Sequence, residues 1–238
     1  MVRFGNGPRG AILTIIAAAL TSTGSPSFGN DAAHPTVVEL FQSQGCSSCP
    51  PAIANINAIA GRRDIVALMF AVTYWDSLGW KDTFARPEFT ERQRDYARAE
   101  GRGSVATPQT IVNGRVVTNG GNRTQLISAI RSADRGTSGP SVEVNAGRIR
   151  IGPGQAKRAG IVWLVRYDPR SVSVPIRAGE NGGRTITHRN IVRQLNAIGR
   201  WKGAPLTIAA PPSRDPNLRS AILVQDGTGG AIVAASPF

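Results

Sequence analysis

Apolar positions along the chain change period several times, and each change marks an element. Residues 37–41 form a near-continuous apolar run of strand length. Between Pro50 and Ala60, Ile53, Ile56 and Ile59 recur at a spacing of three, which predicts a helix, and residues 65–72 are a second strand-length run. Strand, helix and strand in this order predict a β-α-β unit, with a parallel pair and a right-handed crossover. A polar, aromatic stretch follows from Tyr74 to Trp80, and Pro87 opens a charged, helix-like segment that runs to Gly101. Thr110-Ile111-Val112 and Arg115-Val116-Val117 flank Asn113-Gly114, a strong hairpin signal. Asn122 or Thr124 can cap a helix carrying Leu126, Ile127 and Ile130.

Residues 132–140 are small and polar and read as a linker. Beyond them the pattern becomes one of short strands at 142–144, 148–151, 161–167, 172–176, 206–209 and 221–224. The last of these turns through Asp226-Gly227 into 231–234. Such spacing, broken by Gly and Pro, predicts a small β-sandwich. Residues 187–195 fit strand or helix equally. The expected layout is an α/β domain of β-α-β-α-β-β-α order, the thioredoxin order, over 35–133. A linker over 134–140 and a β-rich domain over 141–238 complete it.

The first thirty residues differ from the rest. Arg3 and Arg9 precede an apolar run at 11–20, and a small polar stretch without acidic residues follows it up to Asp31. This is the three-part pattern of a secretory signal peptide, too short in its apolar run to span a bilayer. Cleavage is expected near Ser27-Phe28-Gly29, with a retained anchor as the alternative. The protein is therefore expected in the periplasm or secreted. With 238 residues, 41% of them apolar, the chain can bury a real core, which excludes disorder as a whole-chain reading. The formal charge of +13 comes from basic residues scattered through both halves. No nucleic-acid motif or interleaved aromatic platform accompanies them, so an anionic envelope surface is a better match than nucleic acid.

Charge and compartment change how the cysteines are read. Cys46 and Cys49 are the only two, in Gly45-Cys46-Ser47-Ser48-Cys49-Pro50, at the mouth of the first strand. A Cys-x-x-Cys there is the pattern of a thiol–disulfide redox site, and an exported disulfide can cycle or stay oxidised. The loop it closes is tiny, so in the chain-entropy model it constrains the unfolded chain little. Cys46, placed at a helix N-terminus, would have its thiol pKa lowered from about 8.5 towards roughly 3.5–7.5 by the dipole and free N–H groups. It is the expected nucleophile, and Cys49, one turn further in and more buried, the expected resolving thiol. Pro50 and Pro51 remove N–H donors and weaken that dipole argument.

Three further features bear on this site. Thr107-Pro108 precedes the hairpin, where a cis-proline of thioredoxin-like proteins packs against the cysteine pair and the preceding residue meets bound peptide; X-Pro bonds adopt cis at low cost. Glu39, among apolar neighbours on the leading strand, is either a proton relay for Cys49 or an acid with a basic partner. Trp75 and Trp80, with Asp76, either wall a substrate groove or pack into the core.

The chain resembles a family of secreted bacterial thioredoxin-like proteins catalogued as a domain of unknown function. The resemblance runs from about Val37 to the C-terminus. It rests on Val38-Glu39-Leu40-Phe41, Gln44-Gly45-Cys46-Ser47-Ser48-Cys49-Pro50-Pro51, Tyr74-Trp75-Asp76 with Gly79-Trp80-Lys81-Asp82, Arg92-Gln93, Thr107-Pro108-Gln109, and Gly179-Glu180-Asn181 with Gly183-Arg184-Thr185. It implies a thioredoxin fold fused to a β-rich tail. A His and an Asp that commonly stand in the family are Ala71 and Thr73 here, which removes the natural third metal ligand. His34 and His188 remain, and neither spacing suggests a site. Glu180, Asn181 and Arg184 read as a strand-linking turn or a docking surface, outside the catalytic site.

The leading functional expectation is an exported thiol–disulfide oxidoreductase without metal or organic cofactor. It would act on protein or small-molecule thiols and disulfides with an envelope electron-transfer partner. The alternatives are a copper-handling thiolate protein and a non-enzymatic envelope binding module whose disulfide is inert.

Overall fold

The computed structural model describes residues 1–3, 5 and 31–238, so most of the expected signal segment lies outside the described residues. The first half runs β1 (Thr36–Gln42), α1 (Pro50–Ile59), β2 (Ile65–Ala71), α2 (Pro87–Ala99), β3 (Gln109–Val112), β4 (Val116–Thr118) and α3 (Arg123–Ser132). This is the element order the apolar pattern predicts. Asn122 is the α3 cap, its side chain accepting from the Gln125 N–H at 3.0 Å. At the β3–β4 turn both Asn113 (φ 47°) and Gly114 (φ 62°) are left-handed, as an Asn-Gly pair permits.

The second half supplies β5 (Val142–Asn145), β6 (Arg148–Ile151), β7 (Gly160–Asp168), β8 (Val172–Pro175), β9 (Thr185–His188), β10 (Ile191–Trp201), β11 (Leu206–Ala209), β12 (Arg219–Gln225) and β13 (Ile232–Pro237). These strands do not make a separate domain. β7, β10, β12 and β13 extend the first half's sheet across the free edge of β2, in the order β13-β12-β7-β10-β2-β1-β3-β4. The join is parallel, at Ile191 and Met69, while β1 pairs β2 in parallel and β3 antiparallel. The sheet curls until Ile232 N donates to the Asn113 carbonyl at 2.9 Å, beside the β3–β4 turn. β5, β6 and β11 form a separate three-stranded sheet whose Ile149 and Ile151 pack on Val162, Leu164, Trp201 and Ile222 of the large sheet.

The expected linker is not a free tether either. Arg135 is largely buried and donates to the carbonyls of Val233, His34 and Pro35. Gly139 (φ 108°) lies so close to the Val233 carbonyl oxygen that a Cβ there would clash with it. Residues 187–195 divide at Asn190, whose φ of 53° ends β9 and lets β10 begin.

Alternation along β1 sorts its side chains between two cores. Val38 and Leu40 face α1 and α3 in the core that holds both cysteines, together with Ile176 and Ile186 from the second half. Val37 and Phe41 face α2, in a core shared with Phe89, Tyr96, Val165, Ala221 and Ile232. Both cores therefore draw on both halves of the chain. Among the described residues no helix is long and apolar enough to cross a membrane.

Candidate active site

Cys46 and Cys49 form a disulfide in the turn between β1 and α1, with Cα atoms 5.4 Å apart. The turn is built stepwise: Cys46 N donates to Ser43 O and Cys49 N to Cys46 O, each at 3.1 Å, and Ile53 N reaches Cys49 O at 3.0 Å to start the helix. Cys49 is thus the N-cap and Pro50 and Pro51 the first two helical residues. This corrects the placement of Cys46 at the helix start, since it lies three residues upstream. The prolines do not distort the first turn, because N–H groups there have no intrahelical partner in any case. They do leave the helix end with fewer N–H groups to stabilise a thiolate.

The two cysteines do not differ in burial as expected; both have 0% exposed surface, while Ser47 and Ser48 between them are exposed. What covers Cys46 comes from far along the chain. Asn181 Nδ2 donates to the carbonyls of Gln44 at 2.9 Å and Cys46 at 2.8 Å. Ser47 N donates to Glu180 Oε2 at 3.1 Å, and that hydrogen bonding lowers the Glu180 pKa. Arg184 holds the Asn181 side-chain oxygen at 3.0 Å. Gly179, with φ 72°, rests on Trp80, where a Cβ would meet the Trp80 Cβ at 3.1 Å. The Gly179-Glu180-Asn181 turn is therefore a cap on the cysteine loop, a role that the sequence reading left out of the site.

Below the cap, Gln44 organises the loop. Its Oε1 accepts from Trp80 Nε1 at 2.9 Å, and its Nε2 donates to Thr83 Oγ1 at 2.9 Å. Its backbone N–H donates to Asp82 Oδ2 at 2.7 Å. Burial pushes the Asp82 carboxyl up to about 6, against the pull of N–H donors from Gln44 and Phe84. Trp80 is thus held between Gln44 and Gly179.

Trp75 stands on the other side of the loop. Its Cβ would lie 3.6 Å from a Cβ built on Gly45, and its Nε1 donates to Thr107 Oγ1 at 2.7 Å. The Thr107–Pro108 peptide bond is cis. Trp75 therefore links the cis-proline turn to the residue preceding Cys46, which brings together Cys46, Cys49, Trp75 and Thr107-Pro108.

Glu39 is not part of this group, and its assignment as a proton relay is corrected. It shares a face of β1 with Val37 and Phe41, opposite the face that packs on the cysteine core. There its carboxylate receives Arg92 Nε at 2.6 Å, Arg92 Nη2 at 3.1 Å and the Tyr96 hydroxyl. Burial would lower the Arg92 pKa, but the charge and hydrogen bonds of Glu39, joined by Tyr96 and Asp95, together outweigh it and raise the pKa above the ordinary value. It is a buried acid with a basic partner.

Of the two histidines, His34 pairs with Asp31 near the start of the fold. His188 is fully buried against Phe84, ring centroids 5.6 Å apart, and neither ring nitrogen has a hydrogen-bond partner among the described residues. Burial lowers its pKa to about 4 and keeps it neutral. Ala71 is buried in β2, and Thr73 hydrogen-bonds Thr90, so neither supplies a metal ligand. Among the described residues no group of three or more His, Cys, Asp or Glu side chains could hold a metal ion.

Fold and site together define a mixed α/β protein with one large sheet, 3 helices and 13 strands among the described residues, and a capped disulfide between β1 and α1. The chain belongs to the DUF1223 family of proteins of unknown function, whose model matches residues 37–225. An X-ray crystal structure of a protein from Agrobacterium tumefaciens, a structural-genomics target, is similar with a TM-score of 0.72 and 33% identity, covering 87% of this chain and 94% of that one. HBP35 of Porphyromonas gingivalis is similar in fold alone, with a TM-score of 0.58 at 11% identity over 87% of this chain and 75% of that one. No functionally curated protein matches the chain.

Proposed function

We propose that this is an exported thiol–disulfide oxidoreductase of thioredoxin-like architecture, working at Cys46–Cys49 and gated by the Gly179-Glu180-Asn181 cap. The observation that carries the reading is the convergence, through Trp75, of a Cys-x-x-Cys disulfide at the β1–α1 turn and a cis Thr107–Pro108 bond leading into β3. The sheet order β2-β1-β3-β4 supports the thioredoxin-like frame. Arg3, Arg9 and the apolar run after them support export.

With the cap displaced, a thiolate of a dithiol substrate attacks Cys46 Sγ. The Sγ–Sγ bond breaks and its electron pair leaves on Cys49 Sγ. The second substrate thiolate then attacks the substrate sulfur of the mixed disulfide and releases the Cys46 thiolate. The substrate becomes a disulfide, and the protein, two electrons richer, a dithiol that takes up two protons. Run in reverse, the same steps reduce a substrate disulfide, with an envelope dithiol protein as the electron source. Trp75 and Thr107 form the wall against which the incoming chain lies.

The complete burial of both sulfurs favours a second reading, a binding module with an inert disulfide. Trapping separates the two. Cys49→Ser leaves Cys46 unable to be resolved, so covalent adducts that dithiothreitol releases accumulate in the envelope. Cys46→Ser abolishes them. A Cys49→Ser protein that forms no adduct overturns the oxidoreductase reading and favours the second.

A further inference from the structure

A cavity of about 480 Å³ opens away from the cysteines, where the turn after α1 meets the ends of β7 and β10. Five arginines line it: Arg62, Arg63, Arg170, Arg189 and Arg219. Only two have acidic partners here, Arg62 with Asp64 and Arg170 with Asp168. Arg63, Arg189 and Arg219 make no ion pair among the described residues, and they come from three separate stretches of chain. Converging unpaired cations around one concavity cost electrostatic energy unless an anion joins them.

The local construction favours an anion inside the cavity. Gly61 has open space above its Cα, with only the Arg189 guanidinium near a built Cβ, at 3.9 Å, so this side chain lies over the turn. The end of α1 would oppose an anion through its free carbonyls, but two of them are occupied: Asn190 Nδ2 donates to Ala60 O at 3.2 Å and Arg62 N to Ile59 O at 3.1 Å. The Arg219 charge acts on the largely buried Tyr167 on the cavity floor. Arginine forks match phosphate oxygens in pairs, which a single halide would not exploit.

We infer that this cavity is a binding site for a compact phosphate-bearing polyanion, held by Arg63, Arg189 and Arg219. Such a ligand is either a free di- or polyphosphate or the head group of an anionic lipid, and both present the same oxygens. The site is independent of the redox reading, as none of its residues touches the cysteine loop.

Calorimetric titration of the full mature chain with inorganic pyrophosphate tests it, alongside sedimentation with vesicles of phosphatidylcholine alone or phosphatidylcholine with phosphatidylglycerol. The R63Q/R189Q/R219Q variant is compared with R115Q/R148Q/R150Q, which removes the same charge elsewhere. The expected result is saturable 1:1 pyrophosphate binding, at least tenfold weaker in the cavity variant and unchanged in the control. Loss of phosphatidylglycerol-vesicle binding in the cavity variant alone, without pyrophosphate binding, also supports the site and assigns the head-group source. Gly61→Glu places a competing carboxylate beside Arg189 without touching the core and should weaken the same ligand. Absence of both kinds of binding, or equal loss in cavity and control variants, overturns the proposal.

Discussion

Asn181 closes the cap on the cysteine loop, and its truncation tests the gate directly. Asn181→Ala removes the two hydrogen bonds that cross to the cysteine loop, to the Gln44 and Cys46 carbonyls, each worth about 1 kcal/mol net; the third it loses, from Arg184, lies within the cap and is absent whether the cap is open or closed. When the cap swings away the two carbonyls are taken up by water, so the opening equilibrium shifts by the sum, about 2 kcal/mol. At about 1.4 kcal/mol per factor of ten, that is roughly a 30-fold larger open population. Where opening and closing outpace thiol attack, the reduction rate follows that population. The disulfide of Asn181→Ala should thus be reduced by dithiothreitol about 30 times faster than that of the parent chain, read by quenching and thiol labelling over time. Asn181→Asp, which sets a carboxylate against two carbonyl oxygens, should exceed this. Glu180→Ala, which loses only the exposed Ser47 contact, should fall well short. Reduction of Asn181→Ala at the parental rate, with its thermal unfolding unchanged, would refute the gate.

Two other perturbations follow from buried charge. Glu39→Gln leaves the Arg92 guanidinium buried without its counter-charge and should cost about 3–5 kcal/mol in urea unfolding. Because Glu39 faces away from the cysteine core, the reduction potential of the variant should stay at the parental value; a clear shift would restore Glu39 to the redox site. His188 titrates at about 4 in the fold against an ordinary 6.5, so the unfolded chain binds the extra proton between those values. Its contribution to stability is complete above about pH 6.5 and is lost as pH falls towards 4, by about 3 kcal/mol. Asp82, raised to about 6 from 3.8, works in the opposite sense, the native state binding more protons between those values and losing stability as pH rises through them. His188→Leu should therefore gain most over the parent at pH 4, and its advantage should shrink by about 3 kcal/mol by pH 7. An advantage independent of pH would show that His188 is not buried neutral.

Much of the fold is local enough to read from the sequence. β6 and β11 coincide with their expected bounds because alternation and flanking turns define four-residue strands. The Asn113-Gly114 turn needs two positive φ values that few other pairs tolerate. The Cys-x-x-Cys turn and the Thr107-Pro108 bend were legible for the same reason, as each is a short motif with a local geometry. What stayed hidden is non-local. Nothing in residues 191–201 announces that Ile191 will pair with Met69 and merge two expected domains into one sheet. Glu39 alternates with Val38 and Leu40, so its separation from them could be read from parity, but not which face α1 would cover. The cap was missed because Asn181 lies 135 residues from the carbonyl of Cys46 that it holds. Its one visible sign was the Gly179-Glu180-Asn181 motif, whose polar composition reads equally well as a simple turn.

The measurement closest to the central claim is the equilibrium reduction potential of Cys46–Cys49 in the purified protein, titrated against glutathione and dithiothreitol couples with thiol labelling as the readout. An exchanging site should fall between the values of a strong oxidant and of thioredoxin, about −120 to −270 mV. A pair that stays oxidised at potentials well below about −300 mV would be a structural disulfide, and the oxidoreductase account would be wrong.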